Sequence, residues 1–253
     1  MLSACFKRST RILRHRFNAT FSQKLRSCAR FPYQEENVGK WFTKEIPIPH
    51  DPFHVRTINI LNLTEKCPDA DTFSKALKGG DVFRVLFHGT DQKSAQDIIE
   101  NGVRLDKLHS ETGPEDFSFG RGFYLTENLE REVRGALFWA FDSPSCNAKQ
   151  AVLVFKIPND VIDKYRANAK ILSYHNQEEL RSFVEKFRAG ETLQRELEKI
   201  LENVSYVEGP EVKMLGKRIV DVLEGTHQIC ILSEELAKWF DRHLDSAVFV
   251  NKQ

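Results

Sequence analysis

The sequence predicts an α+β fold, and three observations carry that expectation. Short strand-like apolar runs and helical patterns are mixed without the regular spacing of a βαβ repeat. At 253 residues, 41% of them apolar, the chain can bury one ordinary core, and no internal repeat or low-complexity tract divides it. No apolar stretch approaches the ~18–20 residues that span a bilayer, so the apolar runs read as parts of a packed interior and no membrane partner is expected.

Residues 1–32 stand apart. Lys7, Arg8, Arg11, Arg14, Arg16, Lys24, Arg26 and Arg30 fall there with no acid before Glu35. Leu2, Phe6, Leu13, Phe17, Phe21 and Leu25 would gather on one broad helical face, among several serines and threonines. Arginine-rich, serine-rich, acid-free and amphipathic is the pattern of a mitochondrial transit peptide; a disordered basic tail or nucleic-acid-binding arm is the plainer alternative. A matrix location is expected, otherwise a cytoplasmic one. Without this head, 29 bases face all 36 acids, a net of −7, so the body makes an unlikely nucleic-acid binder. The five cysteines show no CxxC and no zinc spacing, so no metal is expected, and the odd number left after the head fits a reduced interior.

Residues 33–80 read as a connector and N-terminal elements, and 81–250 as the functional domain. Prolines 32, 47, 49 and 52 make residues 33–55 look irregular, whereas 55–63 alternate as a strand with one wet face. A short helix over 71–77 is stopped by Gly79 and Gly80. Residues 81–87 form a compact apolar run, expected as a central strand. Asp91 is placed to cap a helix that buries Ala95, Ile98 and Ile99 and ends at Gly102. After a polar loop over 106–121 comes a short strand at 122–125. Thr126 is expected to cap a helix reaching Phe141, burying Val133, Ala136, Leu137 and Ala140, with Trp139 in the core. Residues 151–157 are the clearest strand. Residues 178–202 read as two charged helices divided by Gly190, 204–207 and 228–232 as strands, 233–244 as a helix and 247–250 as an edge strand.

Two pieces carry chemistry. The 81–87 run delivers His88-Gly89-Thr90, and a turn punctuated by Gly120 and Gly122, around Arg121, delivers Tyr124 and Thr126. A ring nitrogen beside a glycine, with a phenolic ring on a second strand, suits a flat, charged heteroaromatic ring held against a ribose. Each residue also has a plain structural reading. A histidine at a strand end is usually structural, Tyr124 lies between Phe123 and Leu125 as core aromatics do, and Gln228 resembles a polar strand-edge residue. Gly120 and Gly122 could serve a turn with positive φ, and their spacing is not the G-x-G-x-x-G dinucleotide fingerprint.

The His-Gly-Thr strand, the turn from Asp116 to Thr126, the helix ending at Trp139-Ala140, the segment Tyr206-Val207-Glu208-Gly209-Pro210 and the strand opened by Gln228 occur in one order over roughly residues 83–245. This set resembles the ADP-ribosyltransferase superfamily, in its branch like the poly(ADP-ribose) polymerase catalytic domain, built on a His-Tyr-Glu or His-Tyr-Gln triad. The resemblance implies split antiparallel sheets around a central cleft that takes NAD as co-substrate. It assigns His88 to ribose hydroxyls or the adenosine side, the Gly89 backbone to the nicotinamide carboxamide, Tyr124 to stacking on the nicotinamide, and Gln228 to the nicotinamide-ribose 2′-OH. Thr90, Gly120, Arg121, Gly122 and Thr126 flank that site.

The implied activity is mono-ADP-ribosyl transfer to an unidentified acceptor, such as a protein, or to water. A neutral Gln228 has no useful basicity, which disfavours polymer formation; a nearby carboxylate such as Glu211 or Glu224 is the candidate substitute for a base. A non-catalytic NAD or ADP-ribose binding module is the alternative. RNA 2′-phosphotransfer is a third reading, disfavoured by Tyr124 and by the acidic body.

Overall fold

The computed structural model describes residues 31–33, 37–64, 68–73, 82–105, 116–118, 122–131, 134–142, 149–189, 199–216 and 218–251. Residues 1–30 of the expected transit segment, Gly120, Arg121, Val133, Gly190 and Cys146 lie outside the described residues, whereas Phe31, inside the expected 1–32 span, is buried in the core.

The fold is α+β, as the mixed pattern predicts. Its centre is one nine-stranded sheet: β1 (Phe42–Ile48), β2 (Asp51–Thr64), β11 (Leu244–Asn251), β5 (Lys149–Pro158), β3 (Phe83–Asp91), β4 (Phe123–Thr126), β10 (Gln228–Ile231), β7 (Tyr206–Gly209) and β6 (Ala169–Ile171), in that spatial order. A separate hairpin pairs β8 (Val212–Leu215) with β9 (Arg218–Val222). Two junctions, β11 with β2 and β6 with β7, are parallel, so the sheet is mixed and not purely antiparallel as expected.

The sheet is nevertheless nearly divided. Five strands, β1 to β3, join four, β4 to β6, through one residue pair, Phe87 opposite Thr126. Every other strand junction carries at least three paired positions. Beyond Phe87, residues 88–91 stay paired with β5, and residues 123–125 stay paired with β10. Between them a seam opens, and His88 lies at its start.

Alternation along the strands explains the layers. Leu86, Phe123, Leu125, Leu153, Phe155, Ile229 and Ile231 face one side and pack under α2 (Gln92–Asn101), α4 (Asn159–Tyr165) and α6 (Glu234–Arg242). On the opposite side the core is double. Phe87, Val152, Val154 and Val248 pack with α3 (Ala136–Phe141), while Val207, Cys230 and Phe117 pack with α5 (Gln177–Ala189) and the β8–β9 hairpin. Each fully buried large aliphatic side chain here contributes roughly 1.5–3 kcal/mol relative to exposure.

Local signals are obeyed where they are strong. Asp91 caps α2, its carboxylate accepting from the Lys93 and Ser94 amides at 2.8 and 3.0 Å, and Gly102 closes the helix at φ +84°. Ser233 caps α6. Other expectations fail. The proline-marked connector is a regular antiparallel pair, β1 with β2, because Pro47 falls at the register shift and Pro52 near the hairpin end, where missing amides are tolerated. Residues 247–250 are interior, between β2 and β5, because their neighbours cover both edges. Thr126 does not cap a long helix: it caps a turn, accepting from the Asn128 amide at 3.1 Å, and α3 begins only after Gly135. Trp139 is 40% exposed. The short helix expected over 71–77 is seen as α1 (Ala70–Phe73), its remaining positions lying outside the described residues.

Candidate active site

The seam between β3 and β4 collects most of the expected residues. The His88 imidazole Nδ1 meets the Tyr124 carbonyl at 2.8 Å. A carbonyl only accepts, so Nδ1 carries the proton and Nε2 is left as an acceptor. Burial pushes the His88 pKa down to about 4, against smaller upward pulls from that carbonyl and Asp91. The ring is therefore neutral at physiological pH, with Nε2 able to accept a hydrogen bond from a hydroxyl.

The His88 ring rests on Phe123, with centroids 4.5 Å apart. Tyr124, by alternation, projects to the other side, among Phe117 and the third core cluster. Its hydroxyl accepts from the Phe117 amide at 2.9 Å and lies 3.2 Å from the Ser118 hydroxyl, and its ring stacks on Phe117. His88 and Tyr124 thus meet through side chain and backbone, and the two rings do not share a face. The backbones of residues 88–91 and 123–125 line the seam with no strand partner across it among the described residues.

Both described glycines of the motif are set by close approach. A Cβ on Gly89 would overlap the Ala136 carbonyl, so α3 can lie on β3 only there. A Cβ on Gly122 would overlap the Cys230 sulfur. Gly122 has no positive φ, so the turn reading does not hold for it. Thr90 continues β3 opposite Ala151, beyond the His88 contact.

Gln228 stands directly between Thr126 on β4 and Gly209 on β7. It is buried, with Nε2 3.4 Å from the Pro210 carbonyl. Thr126, also buried, donates to the His227 carbonyl at 3.1 Å. The structure brings Thr126, Gln228 and Tyr124 together on one face of β4 and β10, since Cys230 pairs with Tyr124 two positions along.

Three residues complete this neighbourhood. Glu211 follows Pro210 and is 3% exposed, with no hydrogen-bond partner on either carboxylate oxygen. Burial drives its pKa up to about 8, partly opposed by the Thr126 hydroxyl and the Arg134 charge and reinforced by Asp116. Glu224, its sequence-level alternative, lies exposed on the turn at Gly225. Arg134 adopts φ +57°, donates to the Val212 carbonyl at 2.7 Å and covers the rings of Phe138 and Trp139. It ties the α3 side of the seam to the β8 hairpin. Asp116 is paired with Arg188 at 2.6 Å. The unusual backbone of Arg134 leaves no mark in the sequence, and neither does the partnering of Asp116.

At the closed end, on the opposite face, charges are fully paired. Arg84 of β3 reaches across to Glu208 on β7 with two bonds of 3.1 and 3.2 Å, to Glu127 and to His227 Nδ1 at 2.6 Å. His227 Nε2 meets Glu208 at 2.9 Å. The tautomer with its proton on Nε2 satisfies both contacts. Burial would raise the Glu208 pKa, but bonds from His227 and Arg84 outweigh it and hold the carboxyl down at about 2.

Comparison with family models, curated proteins and solved structures finds no match to this chain. Among the described residues no cluster of metal-ligating side chains occurs, and no helix is long and apolar enough to cross a membrane.

Proposed function

We propose that this chain is an NAD-dependent mono-ADP-ribosyltransferase, cleaving the nicotinamide–ribose bond and passing ADP-ribose to an acceptor or to water. The observation that carries the reading is the His88–Tyr124 contact across an otherwise unpaired seam. It joins two motif pieces 36 residues apart, where the backbones of residues 88–91 and 123–125 have no strand partner across the seam among the described residues. In the proposed complex the neutral His88 Nε2 accepts from a ribose hydroxyl. The backbone at Gly89 receives the carboxamide, the Tyr124 side of the seam takes the nicotinamide ring, and Gln228 with Thr126 addresses the 2′-OH.

The chemistry asks mainly for orientation. Nicotinamide departs as a neutral molecule, taking the electron pair of the C1′–N bond, and leaves an oxocarbenium-like sugar. Polar groups fixed before the reaction lower that barrier without moving during it. The reading carries with it a mitochondrial address for residues 1–32 and a protein or small-molecule acceptor.

A second reading is favoured by the neutral Gln228: a module of the same architecture that binds NAD or ADP-ribose without turnover. Incubating the full chain with NAD and following free nicotinamide, against His88→Ala and Tyr124→Ala controls, separates the two. Release by the wild type alone supports the enzyme. Binding by calorimetry without release supports the module, and absence of both removes NAD from the account.

A further inference from the structure

We infer that Glu211, buried beside Thr126 and one residue past the Pro210 carbonyl that Gln228 contacts, accepts the proton of a neutral hydroxyl acceptor, water or an alcohol, during ADP-ribose transfer. The inference rests on the NAD-cleaving function proposed above and supplies what Gln228 lacks.

The geometry makes Glu211 hard to explain as a structural residue. Its backbone is fixed on both sides: its amide donates to the Thr226 hydroxyl and its carbonyl accepts from the Leu223 amide, both at 2.9 Å. The side chain gains less: both oxygens are buried with no well-formed hydrogen bond, and the neighbouring Thr126 hydroxyl only partly offsets their burial. A glutamine or methionine would fill the space without the cost of an unpaired buried carboxyl. Its neighbours also suit a proton acceptor. Thr126 stands next to it on the seam, Arg134 faces it from the segment before α3, and Asp116 faces it from the segment before β4 with its own charge tied to Arg188.

The step balances without another reagent. The C1′–N bond breaks with its electrons going to nicotinamide, and a lone pair of the acceptor oxygen forms the C1′–O bond. The O–H proton moves to the Glu211 carboxylate and is then lost to solvent. The ionised form is required, and burial keeps the unliganded carboxyl largely protonated until about pH 8. Release of nicotinamide should therefore rise with pH and level off in mild alkali. A cationic nicotinamide ring in the seam would draw the midpoint downward, as an approaching positive charge favours the carboxylate.

The test is nicotinamide release by the full chain from about pH 6 to about pH 9, with NAD affinity measured in parallel. The wild type should gain about tenfold per pH unit below its midpoint. Glu211→Gln should be flat with pH and slower by about 10²-fold on the alkaline plateau, with NAD affinity within about twofold of wild type. Glu211→Asp should keep the slope. Arg134→Gln, which removes the cation facing the carboxyl, should move the midpoint to higher pH.

Glu211→Gln with the wild-type rate and slope overturns the inference while leaving NAD cleavage standing. So does loss of NAD affinity in step with rate, because the carboxyl would then be holding NAD. An Arg134→Gln midpoint that stays in place overturns it without relying on any substitution at Glu211. A wild type that releases no nicotinamide at any pH removes both the proposed function and this inference.

Discussion

Glu208 and Glu211 lie three residues apart, both buried, at opposite ends of the chemistry a carboxyl can have inside a protein. Glu208 leaves β7 toward the face where Arg84 and His227 meet it, and its pKa falls to about 2. Glu211 follows Pro210 onto the other side of the sheet, where the Thr126 hydroxyl and the Arg134 charge only partly offset its burial, and its pKa rises to about 8. Burial acts on both in the same direction. The sign of the outcome is set by whether cations and donors reach the oxygens. The paired glutamate staples the two halves of the sheet at their closed end, since Arg84 belongs to β3 and Glu208 to β7. The unpaired one stands beside Thr126, at the residue pair where the two halves of the sheet meet. A buried charge with all its partners is evidence for architecture, and a buried charge without them is evidence for chemistry.

Breaking the paired side should have the largest effect. Arg84→Ala leaves Glu208 and Glu127 without their shared cation and should cost about 3–5 kcal/mol, read by urea denaturation. Because the folded Glu208 pKa is depressed, its contribution is present above the ordinary value of 4.5 and is lost as pH falls toward about 2. Arg84→Ala should therefore flatten the acid limb of stability against pH; an unchanged limb would mean that other carboxyls govern it.

The unpaired side should respond with the opposite sign. A raised carboxyl pKa means that stability is fully present below 4.5 and is lost as pH rises through about 8. Glu211→Gln should be more stable than wild type at pH 7 by roughly 3 kcal/mol, with no gain below about pH 4.5. Thermal melts of both proteins at acid and neutral pH would show whether the gap opens as stated.

Two smaller changes sharpen the contrast by probing the seam and a control. Gly89→Ala places a Cβ into the Ala136 carbonyl. It should cost about 1–3 kcal/mol and displace α3, with weakened NAD binding as the functional readout. Asp91→Ala removes the α2 cap, together with a small charge effect on His88, and should cost about 1 kcal/mol in chemical denaturation. If NAD affinity fell as far in Asp91→Ala as in Gly89→Ala, the close packing of α3 at Gly89 would have no special claim on the ligand.

Much of this was legible along the chain. Asp91 and Gly102 mark the ends of α2 because capping is a local hydrogen-bond requirement. The apolar run 151–157 gives β5 because a strand covered on both faces needs no polar alternation. The His88 and Tyr124 motifs could be paired from their residue types, and their contact is present, though through the Tyr124 carbonyl and not between rings. The regions read least well are those where partners far away in sequence decide. Residues 42–48 form β1 because β2 folds back on them. The 247–250 run is central because β2 and β5 close on both of its edges, a fact no local pattern carries.

By itself, then, the sequence determined the α+β class, the local caps and the residue types that meet at the seam, because these follow from periodicity, hydrogen-bond chemistry and side-chain shape within a few residues. Only the tertiary structure decided which glutamate is paired, which glycine is obligatory and where the sheet parts. Each of those depends on atoms brought close from distant positions: Arg84 to Glu208, Ala136 to Gly89, Phe87 to Thr126. Glu208 and Glu211 are the same residue type three positions apart, and only the packing around each makes one a structural ion and the other a candidate base.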